Sequence, residues 1–356
     1  MIFTGISTDH GDIPVTLVDT GSPRGGWFGR VEIAAFLAGC DIFLERTRPE
    51  LVWTYGVRAS LVVQQMAKQR GIPILFGLHN FAYPDAGPLR MADRGIVPTE
   101  FARRFYREKL GLACEVLPLV LDPERAGVPP SGGMGGDNAQ QLSRRLKPEL
   151  QHPLPAGVGT FVTFVNPEPR KGVHVFARIA DVLSQRRRDI PLLLVEGANK
   201  ASFLPKLGTD LSGIKNLQVM PNTPDARQFL AATKVLLMPS LMENAALVVM
   251  EAMHNGIPVL ASNRGGLPET IGDAGFLFDI PARYTPDTRG VPTAAEVEPW
   301  VEAIIRLWDD GAEYGRWSQA ARERARQWHP DRLAPIYREF FGGITHQPGA
   351  PLLPRS

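Results

Sequence analysis

Short apolar runs alternate with helical patterns along most of the chain. In the first half, apolar runs bounded by Pro or Gly predict buried strands at 50–56, 72–80 and 114–122. Between them, residues 58–71 and 99–111 repeat apolar positions at helical spacing, and each segment ends in a glycine. Strands that alternate with helices in this way predict a parallel, doubly wound sheet.

Residues 124–158 interrupt the alternation, because they are rich in Gly and Pro, and they predict a linker or mobile loop. The pattern then restarts, with predicted strands at 159–167, 190–197, 217–221, 234–240, 257–263 and 274–280 and helices at 172–187, 225–233, 244–256, 295–310, 314–329 and 331–344. We therefore predict two Rossmann-like domains, one at 1–155 and one at 156–328. The remainder, 329–356, is expected to form a helix that packs back on the first domain, followed by a tail.

The beginning of the chain lacks the apolar strand and glycine turn with which an α/β domain normally opens. We therefore expect the first domain to be shortened at its N-terminus.

Composition narrows the class of protein. The 356 residues exceed what one core usually holds, and with 44% hydrophobic and 21% charged residues they have the composition of globular domains. A net charge of +2 argues against a nucleic-acid partner. Two isolated cysteines, Cys40 and Cys114, form neither a disulfide framework nor a zinc site. We expect a cytoplasmic protein, and peripheral contact with the inner membrane face stays open.

Two glutamates stand in a segment otherwise made of Ala, Leu, Val and Met. Glu243 follows a predicted strand, at the edge where parallel sheets bind ligands. Glu251 lies eight residues further on, about 12 Å along a helix, which approximates the distance from the sugar to the ribose of a nucleotide sugar. Amides at a helix start between them would favour a diphosphate. Taken alone, a helix-dipole charge at Glu243 and a solvated Glu251 explain the pattern equally well.

Two further segments follow strands that open on the same sheet edge. In "NPEPRKG", Arg170 and Lys171 stand between a strand and a helix, where a diphosphate could be clamped. In "SNRGGLPE", Gly265 and Gly266 permit close backbone approach to a ligand.

These segments together resemble a known family. The run from "FVNPEPRKG" through "LMPSLMENAALVVMEAMHNGIPVLASNRGGLPE" to "GDAGFLF" is similar to the donor domain of retaining glycosyltransferases of family 4. "RPELVWTYG", "GIPILFGLHNF" and "DRGIVPTEFARRFYREKLG" resemble the acceptor domain more loosely. The resemblance implies the GT-B fold, with two Rossmann-like domains facing a cleft.

The resemblance also implies a role for each candidate residue. Glu243 would hold hydroxyls of the donor sugar, Glu251 those of the ribose, and Lys171 the diphosphate. Backbone amides after the first glutamate would support the phosphate or sugar: those of Asn244, Ala245, Ala246 and Leu247. His79 matches the strand-end histidine near the reacting centre. We expect a retaining hexosyltransferase without cofactor or metal, which uses a UDP- or GDP-sugar and a glycan, lipid or small-molecule acceptor.

The chain departs from the family pattern in three segments. Val165-Asn166 stands where the family usually has Gly-Arg, so we expect Asn166 and Arg170 to serve the diphosphate instead. Asn244-Ala245-Ala246 replaces Gly-Phe-Gly, and 22–30 is the only candidate for the N-terminal glycine-rich loop. The departures leave two alternatives open: a catalytically degenerate GT-B protein that binds a nucleotide or partner, or a sugar-nucleotide epimerase.

Overall fold

A computed structural model describes residues 7–8, 11–12, 30–56, 58–127, 159–197 and 199–346. The chain divides into two compact units: a first unit of Met1–Pro118 with Ala334–Ser356, and a second unit of Leu119–Leu333. The grouping differs from the sequence-based boundaries after Pro118, because Leu121 and Ala126 are buried in the core of the second unit.

The first unit contains a parallel sheet. Its helices and strands in chain order are β1 Ser7–Thr8, β2 Gly11–Asp12, α1 Arg30–Thr47, β3 Val52–Thr54, α2 Arg58–Gln69, β4 Ile74–Gly77, β5 Arg94–Val97, α3 Glu100–Leu110 and β6 Cys114–Val116. Strands β3, β4, β5 and β6 lie in that order and pair in parallel, while β1 and β2 form a two-stranded antiparallel ribbon. Sequence patterning did not predict α1, β5 or the ribbon.

Local signals set the ends of the predicted helix α3. The Thr99 hydroxyl accepts a hydrogen bond from the amide of Ala102 at 3.1 Å, and Gly111 ends the helix at a φ of 66°. Beside the same sheet, Ile344 of the C-terminal helix is buried with Leu75 in an apolar cluster.

The second unit contains the larger sheet. Its helices and strands are α4 Pro123–Ala126, β7 Phe161–Val165, α5 Val173–Arg186, β8 Leu192–Val195, β9 Leu217–Met220, α6 Arg227–Leu230, β10 Thr233–Met238, α7 Leu247–His254, β11 Val259–Ser262, α8 Leu267–Ile271, β12 Phe276–Phe278, α9 Ala294–Asp309 and α10 Gly311–Ala325. Helix α11 Pro330–His346 begins here and continues into the first unit. All six strands are parallel, in the order β12-β11-β10-β7-β8-β9. The α/β fold with parallel sheets is confirmed.

Both faces of the larger sheet are covered. On one face, α5 and α9 pack on the strands through Phe176 and Trp300, and on the other face α7 packs through Val249 and Met253. Strands buried on both faces explain why β7, β8, β10 and β11 are nearly continuous apolar runs.

The predicted loop 124–158 is only partly described. Its first residues belong to α4, where Ala126 is buried, so the loop prediction is wrong there. Residues 128–158 lie outside the described part of the chain, as do residues 22–29 of the candidate glycine-rich segment. No helix among the described residues is long and apolar enough to span a bilayer.

Gly172 allows the loops after β7 and β10 to touch. Its φ is 80°, and a β-carbon built on it would stand 1.8 Å from the carbonyl oxygen of Pro239. Beside it, the amide of Leu241 donates to the carbonyl of Arg170 at 2.8 Å. Only a residue without a side chain permits this approach.

We expect Gly172→Ala to lower the free energy of unfolding more than Gly208→Ala does. Gly208 has a similar φ of 76° but no atom within 4 Å of a built β-carbon, so its substitution reports conformational strain alone, about 1–2 kcal/mol. Urea unfolding of both variants measures the difference. Equal losses would show that the contact with Pro239 is not constraining.

Candidate active site

The strand order of the second unit reverses between β7 and β10. From β7 the sheet grows outward to β8 and β9, and from β10 it grows the other way to β11 and β12. At such a reversal the two central strands lead into helices on opposite faces of the sheet, here α5 and α7, and open parallel sheets bind ligands beyond the carboxyl ends of these strands. The loops after the two strands are residues 166–172 and 239–246, and they carry most of the predicted site residues.

The loop 166–172 is a tight turn that leads into α5. Asn166 has a φ of 63°, in the left-handed region that glycine favours, and its Oδ1 is buried without a hydrogen-bond partner. Residues Pro169–Lys171 form a single 3₁₀ turn. Arg170 donates from Nε to Glu168 at 2.6 Å, so its charge is already paired, although the side chain is 56% exposed.

Lys171 and Glu243 meet across the two loops. The ammonium of Lys171 lies 2.5 Å from Oε2 of Glu243, and the Ser240 hydroxyl donates to the same oxygen at 3.3 Å. The two charged side chains are only 21% and 12% exposed. A pair shielded from water to this degree is held more firmly than an ordinary surface ion pair.

The loop after β11 holds the backbone of Glu243. The amide of Gly266 donates to the Glu243 carbonyl at 2.9 Å, and a β-carbon on Gly265 would stand 2.3 Å from that oxygen. The Ser262 hydroxyl likewise donates to the Ser240 carbonyl at 2.5 Å. Gly265 and Gly266 therefore contact the backbone of Glu243 and hold the loop that carries this residue.

The helix after Glu243 begins later than the sequence predicts. Helix α7 starts at Leu247, with Ala246 in an extended conformation as its N-cap. Asn244 is buried in the turn before the helix. Of the four amides predicted at the helix start, only that of Leu247 is within the helix, and the rise of 1.5 Å per residue does not apply between Glu243 and Ala246. The estimate of 12 Å along a helix is therefore wrong.

Glu251 is the fifth residue of α7 and is half-buried. Burial raises the pKa of its carboxyl to about 7, and the nearby carboxylate of Asp225 adds to the rise. Asp225 itself is held by Arg227, whose Nε and Nη2 both donate to it at 2.9 Å. The carboxyl is therefore poised to gain or lose a proton near neutral pH.

His79 lies in the first unit, two residues beyond the end of β4. Its ring packs against Trp53, with centroids 6.5 Å apart, and meets Tyr55 edge-on at 6.1 Å. The side chain reaches solvent, but its packed edge loses water, which lowers the pKa of the imidazole. The ring is consequently neutral at pH 7.

Sequence reasoning missed three residues that shape these sites: Ser240, Asp225 and Trp53. Ser240 and Asp225 follow the ends of β10 and β9 by two and five residues, and a search for polar side chains at that edge of the sheet could have found them. Trp53 gave no comparable signal, because an apolar residue inside a predicted strand fits a buried core equally well.

Known proteins resemble this chain in sequence and in fold. Residues 151–324 match the family model "Glycosyl transferases group 1". A D-inositol 3-phosphate glycosyltransferase of Corynebacterium efficiens is 29% identical over 238 residues, 61% of this chain and 52% of that protein. A protein of the same name from Corynebacterium glutamicum is 26% identical over 326 residues, 83% of this chain and 73% of that protein. The structure of Anabaena HepE in complex with UDP-glucose has a TM-score of 0.62 at 16% identity, covering 88% of this chain and 82% of that one.

The chain has the GT-B fold of glycosyltransferases. The match of residues 151–324 to the group 1 glycosyltransferase model confirms the resemblance predicted from the sequence. The chain spans about half the length of the Corynebacterium efficiens relative.

We expect the Lys171–Glu243 pair to show a coupling free energy of about 1–3 kcal/mol in a double-mutant cycle of Lys171→Met and Glu243→Gln. The exposed pair Arg186–Glu298, also 2.5 Å apart but 47% and 35% exposed, is the control and should give a smaller coupling free energy, because water and salt screen it. Chemical unfolding of the single and double variants measures both values. Similar coupling in the two pairs would contradict the shielded character of the first.

We expect Glu251 to make stability depend on pH in a defined direction. Its pKa is raised from 4.5 to about 7 on folding, so its stabilising contribution is complete below pH 4.5 and is lost as the pH rises through 7. Glu251→Gln should remove this dependence. Unfolding free energies of both proteins between pH 4 and 8 provide the measurement, and parallel curves would refute the raised pKa.

Proposed function

We propose that the protein transfers a hexose from a nucleotide-diphosphate sugar to an acceptor hydroxyl, with retention of anomeric configuration. The observation that carries this proposal is the shielded Lys171–Glu243 pair at the strand reversal of a group 1 glycosyltransferase domain. The pair offers a cation to the diphosphate and a carboxylate to sugar hydroxyls within one small region.

The donor would lie along the loops after β7 and β10 and the start of α7. In this arrangement Lys171 meets the diphosphate, Glu243 accepts hydrogen bonds from the sugar hydroxyls, and Glu251 accepts them from the ribose. The amide of Leu247, at the start of the eight-residue helix α7, adds partial positive charge toward the phosphates. UDP- and GDP-sugars are the donors to test, and UDP-glucose is bound by the structurally similar HepE.

The reaction needs stabilisation of a leaving diphosphate. In the proposed step, the acceptor oxygen bonds to the anomeric carbon on the face from which the diphosphate departs. The bond from that carbon to the diphosphate oxygen breaks, and the acceptor proton passes to the departing phosphate. In this proposal Lys171 compensates the charge that develops on the phosphate, and its hydrogen bond to Glu243 supports the role because a cation held in place before the reaction stabilises such charge effectively.

Arg170 contributes less directly than the sequence suggests. Its guanidinium donates from Nε to Glu168, so that carboxylate already offsets part of the charge that a phosphate would meet. Asn166 has no charge to offer, and Lys171 therefore carries most of the compensation in this loop. Among the described residues no group of three His, Cys, Asp or Glu could hold a metal ion, and transfer without a metal stays a prediction.

We expect alanine substitution of Glu243 and of Glu251 to show which end of the donor each glutamate binds. Glu243→Ala should weaken binding of the intact sugar nucleotide but leave the bare nucleoside diphosphate nearly unaffected. Glu251→Ala should weaken both, since hydrogen bonds to a charged group contribute roughly 1.5–3 kcal/mol each. Calorimetry of each variant with both ligands decides the roles, and equal losses for both ligands in Glu243→Ala would overturn its assignment to the sugar.

Product analysis distinguishes transfer from the alternatives. Incubation with UDP- and GDP-sugars and a panel of acceptors should yield the nucleoside diphosphate and a glycoside with the donor's anomeric configuration. An epimerised sugar nucleotide would indicate an epimerase. Tight binding without any turnover would indicate a degenerate protein that only binds the nucleotide.

A further inference from the structure

A buried indole N–H in the first unit has no hydrogen-bond partner. Nε1 of Trp53 is inaccessible to water and forms no hydrogen bond with any of the described residues. Such a donor costs free energy unless a partner becomes available. Trp53 lies in β3, whose neighbour β4 leads to His79.

Gly77 lies next to both Trp53 and His79, and His79 carries a nitrogen that could accept the indole hydrogen bond. A β-carbon built on Gly77 would stand 2.9 Å from Nε1 of Trp53 and 2.6 Å from Nε2 of His79. The two ring nitrogens therefore converge on one point above the end of β4. Gly77 has no positive φ that would demand glycine, so the space taken by the two rings accounts for the residue.

The orientation of the His79 ring follows from the same contacts. The edge that carries Nε2 and Cδ2 faces Gly77, at 2.6 and 3.2 Å from the built β-carbon. The opposite edge, which carries Nδ1, faces away from the strand. Tyr55, which is 43% exposed, meets the imidazole edge-on.

We propose that Trp53 is a positioning residue, whose indole N–H donates to Nε2 of His79 and thereby holds the imidazole proton on Nδ1. Rotation of the imidazole would close the bond, because both nitrogens border the space above Gly77. His79 is then a hydrogen-bond donor on its outward edge. Its inward nitrogen is occupied, so it does not act there as a base.

The consequence for catalysis rests on the proposed function. An outward N–H recognises an oxygen lone pair, so His79 would donate to a hydroxyl of the acceptor. The neutral imidazole of His79 lies beside the exposed side chain of Tyr55, and the two rings together suit an uncharged sugar ring with hydroxyl groups.

The tautomer can be read directly in the free protein. Long-range ¹H–¹⁵N correlation spectra separate the two nitrogens of each of the seven histidines, and His79→Asn identifies the signals of His79. We expect Nδ1 to be protonated and Nε2 to be unprotonated in the wild-type protein. In Trp53→Phe, which keeps an aromatic ring in the core but removes the donor, the proton should shift toward Nε2, the form that free imidazole side chains prefer.

Trp317→Phe is the matched control. Trp317 packs on Phe276 in the second unit, so the same atoms are removed without touching His79. Its His79 spectrum should equal that of the wild type. A proton on Nε2 in the wild-type protein, or the same pattern in Trp53→Phe as in the wild type, would overturn the proposal. If Trp53→Phe does not fold, the wild-type tautomer still decides.

Activity provides a separate readout. Trp53→Phe should lower kcat/KM for transfer about three- to tenfold, as expected for the loss of one oriented hydrogen bond, while donor affinity measured with the bare nucleotide stays unchanged. If no sugar nucleotide is turned over but the tautomer is as expected, the proposed function fails and the role of Trp53 stands.

Discussion

The donor-binding unit depends on backbone contacts that only glycine permits. Gly172 lets the loop after β7 lie against Pro239, and Gly265 lets the loop after β11 lie against Glu243. Three loops that follow three neighbouring strands are thereby joined into one rigid edge. Lys171 and Glu243 project from this edge, and their separation of 2.5 Å follows from how closely the loops approach. The ion pair therefore depends on the close approach of the loops, which the glycines allow.

Much of the fold follows from the sequence, because strands buried on both faces and helices with one apolar face leave different patterns. The six strands of the second unit and helices α5, α9 and α10 were predicted within a few residues. The first unit was harder. Strand β5 contains Arg94 and Gly95, which dilute its apolar character, and α1 carries apolar residues on several sides, so neither shows a clear period.

The candidate site could be predicted in its residues but less well in its geometry. The positions of Lys171 and Glu243 follow from the rule that loops after parallel strands share one edge. Three features depend on tertiary contacts that sequence spacing does not encode. These are the late start of α7 at Leu247, the pairing of Arg170 with Glu168, and the position of Asp225 near Glu251. Each changes the electrostatics of the site rather than its location.

The charges of this edge are nearly balanced before any ligand arrives. Lys171 is paired with Glu243 and Arg170 with Glu168, so a diphosphate meets no unopposed cation in this loop. An ammonium has three donors, which allows Lys171 to keep Glu243 and bind a phosphate oxygen at the same time. In the proposed complex, the hydroxyls of an intact donor would donate to the carboxylate of Glu243, an interaction that a bare nucleoside diphosphate cannot make. An edge built in this way would favour the sugar nucleotide over the nucleoside diphosphate that transfer leaves behind, and it would thereby link donor selection to product release.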